Sequence, residues 1–384
     1  MSREKRKALI EQIEQLRGSR VLCYITGDRA PAVAQIGDDA VRPMYDCLRE
    51  FGKVEKLDFL LYSRGGAIDV PWRIVTALRT VAAEWSVLIP YRANSAATLL
   101  ALGADEIVLG RFGELGPIDP IMNIQRVMPG PGGPGTPMQD SVSVEDIMAY
   151  VKFVQERAGL SDQAALATSL SKLTDRLDAV ALGSAYRTHS HIRDVARRML
   201  LSRNKPHSEQ TMATIVETLA ERVYAHGHAI GLRAAAEIGL PAKAAEENLD
   251  KLMWDLLNEY ETDMNLLRPI DPAAAVEKAE NWSEDTVIAI VETSATAQEF
   301  GGKIEVTARR KMPQNLNVSM NLNLQAPQVP VSQDVTAALQ RLLEQAQQVI
   351  LQQAQQAVQQ ALQSQAPIVG IEAGFRNGQW RKVE

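Results

Sequence analysis

The sequence predicts an α/β fold in which buried parallel strands alternate with the helices that cover them. Two observations carry this reading. Short, almost unbroken apolar runs recur at Arg20–Thr26, Leu57–Tyr62, Val87–Tyr91 and Glu106–Leu109, the composition of strands buried on both faces. Between them lie segments with apolar residues at helical spacing, so successive strands are joined by crossovers that favour parallel, right-handed connection.

In chain order, a basic start gives way to an amphipathic helix over Ala8–Leu16. The run Arg20–Thr26 ends in Gly27-Asp28, a strand and its turn. Asp38–Phe51 carries Val41, Met44, Tyr45 and Leu48 on one helical face, with Gly52 as its stop. Leu57–Tyr62 is a second strand, Ile68–Ala83 a helix, Val87–Tyr91 a third strand, Ser95–Leu102 a helix and Glu106–Leu109 a fourth strand. The run Arg126–Pro137, rich in proline and glycine, predicts a mobile loop, because proline removes donors and glycine is costly to order. Helices are predicted over Val144–Arg157, Asp162–Leu170, Arg176–Ser202, Ser208–Ala225 and Ala242–Met264. Near residue 284 the period changes. Thr286–Glu292 and Lys303–Ala308 have strand patterns, and Leu316–Leu324 alternates apolar residues with amides and Ser319. After Ala326–Pro330, Asp334–Ser364 is a Gln/Ala-rich helix with a narrow stripe of Leu339, Leu343, Ala346, Ile350, Ala354, Ala357 and Ala361, suited to a partner helix or to its own domain. The domain division expected is a main domain with a helical extension over 1–265, a small β-rich region over 266–330 and a helical tail over 331–384.

Composition narrows the function classes. A net charge of −6 argues against general nucleic-acid binding, which wants a basic surface. Cys23 and Cys47 are the only cysteines, which fits a reducing cytoplasm better than a disulfide scaffold, and no Cys/His cluster has zinc spacing. The basic N-terminus has no apolar h-region behind it, and no run is long and apolar enough to span a bilayer. A cytoplasmic protein with no metal or cofactor and no membrane span is therefore expected.

Two segments carry chemistry, and both follow strands. Ser63-Arg64-Gly65-Gly66 permits positive φ and a close backbone approach, and its free amides beside a helix start can hold a developing negative charge. Taken alone, such a segment is more often simply a tight turn. Tyr91-Arg92-Ala93-Asn94-Ser95-Ala96-Ala97-Thr98 places Ser95 at a strand-to-helix junction, where the dipole favours an alkoxide-like oxygen. The plainer reading is that Ser95 only caps the helix. The elbow Gly-x-Ser-x-Gly is absent.

Together with Ala104-Asp105-Glu106-Ile107 and the run Gly113-Glu114-Leu115-Gly116-Pro117-Ile118-Asp119-Pro120, these segments resemble the Clp/crotonase superfamily of serine peptidases. Within it they are similar to the signal peptide peptidase A-like group, above all to the branch called serine dehydrogenase proteinases. The resemblance is strong over about residues 20–120, looser to about 265, where Tyr224–His228 and Glu237–Leu240 are also similar, and absent beyond. It implies a spiral of ββα units, Ser95 as nucleophile, and an oxyanion hole from the amides of the Gly65-Gly66 turn, chiefly Gly66, and of Ala96. It also implies a homo-oligomer, of trimers or larger rings. Relatives commonly carry glycine after the nucleophile, where this chain has Ala96 and Ala97.

The general base expected is Lys152, with His189 as the alternative. Lys152 sits beside the apolar stripe Val144, Ile147, Met148 and Val151, and a lysine base must be desolvated; Glu156 at i+4 offers the bland alternative of a surface pair. His189 falls within the stripe Leu182, Ala185, Ile192, Ala196 and Met199, where a core histidine is the alternative to a catalytic one. His191 is expected to face solvent, His226 and His228 to lie at a helix end, and Asp119 either to brace the site or to start a turn. The reading reached is an ATP-independent cytosolic serine peptidase acting on peptides or unfolded segments. Its rivals are a crotonase-like acyl-CoA enzyme and a catalytically inactive assembly module.

Overall fold

The apolar runs do fold as the strands of one layered α/β unit, and the helical-period segments as its two covering layers. The computed structural model describes residues 2–130, 133–174, 177, 179–222, 228–277, 280–311 and 333–383. The chain divides into two units. The first comprises Met1–Pro269, Thr286–Gly302 and Asn377–Glu384, the second Ile270–Asp285 and Lys303–Arg376.

The first unit begins with α1 (Ser2–Arg17), β1 (Arg20–Thr26), α2 (Val41–Phe51), β2 (Val54–Tyr62), α3 (Val70–Val81) and β3 (Ala82–Ile89). It continues through a two-residue strand β4 (Arg92–Ala93), α4 (Ala96–Leu102), β5 (Glu106–Leu109), β6 (Glu114–Leu115) and the hairpin strands β7 (Ile121–Gly130) and β8 (Gly133–Ser143). Helices α5 (Val144–Lys152), α6 (Gln163–Thr174), α7 (Ala179–Leu201), α8 (Glu209–Glu217) and α9 (Leu232–Glu237) follow, then β9 (Ala242–Ala244) and α10 (Glu247–Asp263). A short α11 (Pro272–Ala275), β10 (Asn281–Glu292), β11 (Ala297–Arg310), α12 (Gln333–Gln365) and β12 (Ile368–Val383) complete the described elements.

Strands β1, β2, β3, β5 and β9 are parallel neighbours in that order, with Leu22 opposite Phe59 and Phe59 opposite Val87. The end of β10 pairs antiparallel with β1, Cys23 opposite Glu292. Alternate residues of these strands face opposite layers. Cys23, Ile25, Leu60, Leu88 and Val108 pack under α1 and α10, against Ile10, Ile13, Met253, Leu256 and Tyr260, all buried. Each such side chain stabilises the fold by roughly 1.5–3 kcal/mol relative to exposure. On the other side α2, α3, α4 and α7 pack in sequence, α4 with every residue buried. Parallel strands with helices on both faces match the α/β class expected.

The structure departs from the sequence reading in several places. Ala82 and Ala83 belong to β3, not to the preceding helix, because pairing of Val54 with Ala82 and Lys56 with Glu84 overrides a pattern without helix breakers. Residues Ile368–Val383 form the strand β12 within the expected helical tail. The Ala242–Met264 stretch is split into β9, paired with β5, and α10. The described residues of the Arg126–Pro137 run form strands: β7 and β8 pair from Ile121 opposite Ser143 to Gly130 opposite Gly133, with one register shift between Met128 and Gly130. In a two-stranded ribbon both strands are edges, so prolines whose nitrogens face outward cost no ladder bond.

The second unit holds α11, whose first turn is capped by the Asp271 carboxylate accepting from the Ala273 and Ala274 amides. It also holds α12, anchored where Arg310 donates to the Ala366 carbonyl at 2.6 Å and the Lys311 amide to the Pro367 carbonyl at 3.2 Å. The alternating Leu316–Leu324 segment lies outside the described residues. Among the described residues, no helix is long and apolar enough to cross a membrane.

Candidate active site

The two glycine- and serine-bearing turns meet at the carboxyl edge of the parallel strands. The Ser63 amide donates to the Arg92 carbonyl and the Asn94 amide to the Ser63 carbonyl, each at 3.0 Å, which locks the turn after β2 to β4. The Ser63 hydroxyl receives the Gly65 amide at 3.1 Å and the Thr26 hydroxyl at 2.8 Å. Gly65, at φ +109°, lies directly on Ser95: a Cβ there would sit 2.8 Å from both Ser95 Cβ and the Asn94 carbonyl oxygen. Gly66 is pressed just as closely against Ile36, whose amide and carbonyl bond Gly65 and Ala67 at 2.8 and 2.9 Å. Paired glycines are therefore required by close approach on both sides of one turn.

Ser95 has φ +52° and ψ −115°, and its side chain makes no cap to the helix it precedes. Such a conformation in a residue bearing a Cβ costs on the order of 1–3 kcal/mol. The helix turn is instead secured by its neighbours' backbone, with the Ala97 amide on the Asn94 carbonyl at 2.9 Å and the Leu99 amide on the Ser95 carbonyl at 3.0 Å. Ser95 is half-buried, and among the described residues neither its hydroxyl nor the Gly66 and Ala96 amides have a hydrogen-bond partner. Two unengaged N–H groups and an unengaged hydroxyl thus belong to two turns that touch through Gly65 and Ser95. Ala96 and Ala97 are fully buried at the start of α4.

Thr98 extends this arrangement to the segment after β6. Its buried hydroxyl lies 2.7 Å from the Ala93 carbonyl oxygen and 2.8 Å from that of Gly116, and accepts the Gly116 amide at 3.1 Å. The Gly116–Pro120 run is thereby held beside Asn94, whose Cβ would lie 3.0 Å from any Cβ at Gly116. At the end of that run the Asp119 carboxylate receives the Ser143 hydroxyl at 2.8 Å, and Ser143 caps α5. Asp119 thus fixes the start of the helix that carries Lys152.

Lys152 and His189 are not bonded to Ser95. They sit at the two ends of one ionic chain: Lys152 to Glu221, Glu221 to Arg193, Arg193 to Glu145, and Glu145 to His189 Nδ1 at 3.0 Å. Lys152 is more than half exposed, and its bond to Glu221 pushes its pKa above the ordinary lysine value against weak desolvation. Burial works to raise Glu221, but hydrogen bonds from Lys152 and Arg193 outweigh it and hold this carboxyl below its usual range. His189 is mostly buried, with Nδ1 turned to the Glu145 carboxylate. His191 is half-exposed and bonded through Nε2 to Asp69 at 2.6 Å, three residues past Gly66. His226 lies outside the described residues, and His228 is exposed.

Glu145, Arg193, Glu221 and Asp69 escaped the sequence reading. Only the i+4 spacing of His189 and Arg193 on α7 hinted at a shared partner. A cavity of about 450 Å³, lined by Asp119, Ser143, Glu145, Lys152 and Glu221 among others, opens over this network; Ser95 is not part of its wall. Among the described residues no group of His, Cys, Asp or Glu could hold a metal.

Comparison with known proteins bears on the same stretch. Residues 1–130, which include every residue of the Gly65–Ser95 contact, match the family described as ClpP-like SDH-type serine proteinase. An uncharacterized protein of Methanocaldococcus jannaschii is 30% identical over 113 residues, which are 28% of this chain and only 39% of that relative. Over residues 1–130, then, this chain is similar to the ClpP-like, SDH-type serine proteinases.

Proposed function

We propose that the protein is a cytoplasmic, ATP-independent serine peptidase that cleaves peptides or unfolded segments through an acyl-enzyme on Ser95. The observation that carries this reading is the strained, uncapped Ser95 lying against Gly65 with the Gly66 and Ala96 amides unengaged. In it, Ser95 Oγ attacks the substrate carbonyl carbon, the carbonyl oxygen takes up negative charge between the two amides, and the leaving amine departs protonated. Water then attacks the acyl ester and restores the hydroxyl.

The base in this reading is His189, with Lys152 second. The Glu145–His189 bond at 3.0 Å supports the order, because it orients an imidazole whose other nitrogen can accept a proton. A lysine with a raised pKa is a cation at neutral pH and becomes a base only when released from Glu221. A homo-oligomer is part of the proposal; apolar side chains exposed along α12 support it. The test is fluorophosphonate labelling and peptide turnover of the full chain against Ser95→Ala. Both activities should disappear in the variant while its circular dichroism is unchanged. Undiminished labelling would remove Ser95 as nucleophile, and absence of both from the wild-type chain would favour an inactive assembly module.

A further inference from the structure

A second cavity, of about 700 Å³, lies at the same carboxyl edge of the sheet, beyond β4 from Ser95. Its size falls in the ~300–1,000 Å³ range of ligand pockets. The last turns of β3 and β5 form one side, with Tyr91, Leu109 and Phe112, while Leu232 and the start of α10 close the other. Three rings extend the apolar wall: Tyr91 meets Trp254 edge-on with centroids 6.2 Å apart, and Phe112 tilts against Trp254 at 5.7 Å. Phe112 is 62% exposed, Leu232 38% and Trp254 36%, so this wall is open to solvent. Around it stand the carboxylates of Glu114, paired with Arg92 at 3.2 Å, of Glu247, and of Asp250, which faces Arg111. Glu247 has no ion-pair partner among the described residues, and Asp250 receives the Arg111 amide at 2.7 Å.

Resting on the peptidase reading, we propose that this cavity is a substrate subsite that takes a large apolar side chain of the cleaved polypeptide, preferably flanked by Lys or Arg. Distance supports a polypeptide as the occupant. Tyr91 leads through β4 to Ser95, four positions on, so a substrate laid extended along that line reaches the cavity about four residues, or roughly 13 Å, from its scissile bond. Charge supports the flanking cations, since the rim is acidic and one of its carboxylates is uncompensated. The exposed aromatic wall supplies apolar contact without further ordering of the protein.

Gly231 gives the means of testing it. It lines the cavity, and a Cβ at this position meets nothing within 4 Å, so a larger side chain fills the cavity without strain. Binding is measured on the full-length Ser95→Ala protein by fluorescence anisotropy of a dye-labelled eight-residue peptide carrying one Phe between two Lys. Gly231→Leu and Phe112→Ala should each weaken binding at least tenfold, as should replacing the peptide's Phe by Ala. Affinity unchanged within twofold in all three comparisons would overturn the proposal. It would equally be overturned if Phe112→Ala lowered the mass by light scattering and left peptide affinity unchanged, since the wall would then be a contact between copies. Because binding is read on a protein lacking the nucleophile, its failure is separate from failure of wild-type labelling.

Discussion

At residue scale the decisive contact is Gly65 against Ser95. With φ +109° and 2.8 Å from a would-be Cβ to Ser95 Cβ, Gly65 has neither the conformation nor the room for a side chain. Gly65→Ala should lose most fluorophosphonate labelling and destabilise the fold by at least ~1–3 kcal/mol. Gly231→Ala, a glycine with open space around it, should change stability by less than ~0.5 kcal/mol. Urea titration of both variants decides this, and equal effects would show that the contact is slack. The base is tested at the same scale. His189→Ala should lower kcat by roughly 10²–10⁴-fold, and Lys152→Ala, which removes a half-exposed cation from Glu221, should lower it less than tenfold. The opposite ranking in steady-state kinetics would return the base to Lys152.

At element scale, ionic contacts tie distant segments to the sheet. Arg6 of α1, fully buried, donates to Glu292 at the end of β10 at 2.6 Å, and Tyr260 of α10 donates to the same carboxylate at 2.9 Å. Removing one partner of such a pair typically costs ~3–5 kcal/mol, because the other charge is left buried. Arg6→Met should show a loss of that order in urea, whereas a change below ~1 kcal/mol would mean that the carboxylate finds other partners. A second clasp joins α3 and the end of α7 to the sheet through Asp105, which receives Arg79 at 2.6 Å and the Asn204 amide at 2.8 Å. Burial works to raise Asp105 and Glu106. Arg79 and backbone amides for the first, and Lys243 and Arg17 for the second, outweigh it and hold both below their ordinary values. A carboxyl depressed in the folded state contributes stability above its unfolded pKa and loses it as pH falls. The Tm should therefore drop as pH falls through about 4.5 and below, and Asp105→Asn should flatten that decline. A Tm constant from pH 6 to pH 3 would contradict the clasp.

At the scale of the whole molecule, α12 sets the question of assembly. Val335, Leu339, Leu342, Val349 and Ile350 are all more than a third exposed, and the first four repeat at steps of four, three and seven, the spacing of a helix–helix seam. Its few charges, Asp334, Arg341 and Glu344, offer little repulsion between copies. Leu339→Gln together with Leu342→Gln should lower the mass measured by light scattering after size exclusion. An unchanged mass would assign the stripe to its own subunit. Truncation is the poorer experiment, since removing residues after 331 would also take β12 from the sheet.

What the sequence determined by itself is local: which runs are buried strands, which are amphipathic helices, and where backbone freedom and a hydroxyl occur together. Apolar periodicity reports burial directly, and Gly65-Gly66 and Ser95 announce special backbone because few other residues serve there. Only the tertiary structure decided whether Ser95 caps its helix, since that rests on a φ imposed by contacts with a turn thirty residues earlier. The same holds for the candidate bases. Lys152, Glu221, Arg193, Glu145 and His189 lie on α5, α7 and the segment after α8, and charge–charge partnership at that separation leaves no periodicity to read. Pairing also decided the Arg126–Pro137 run, where composition predicts disorder and a second edge strand supplies the partner that composition cannot encode.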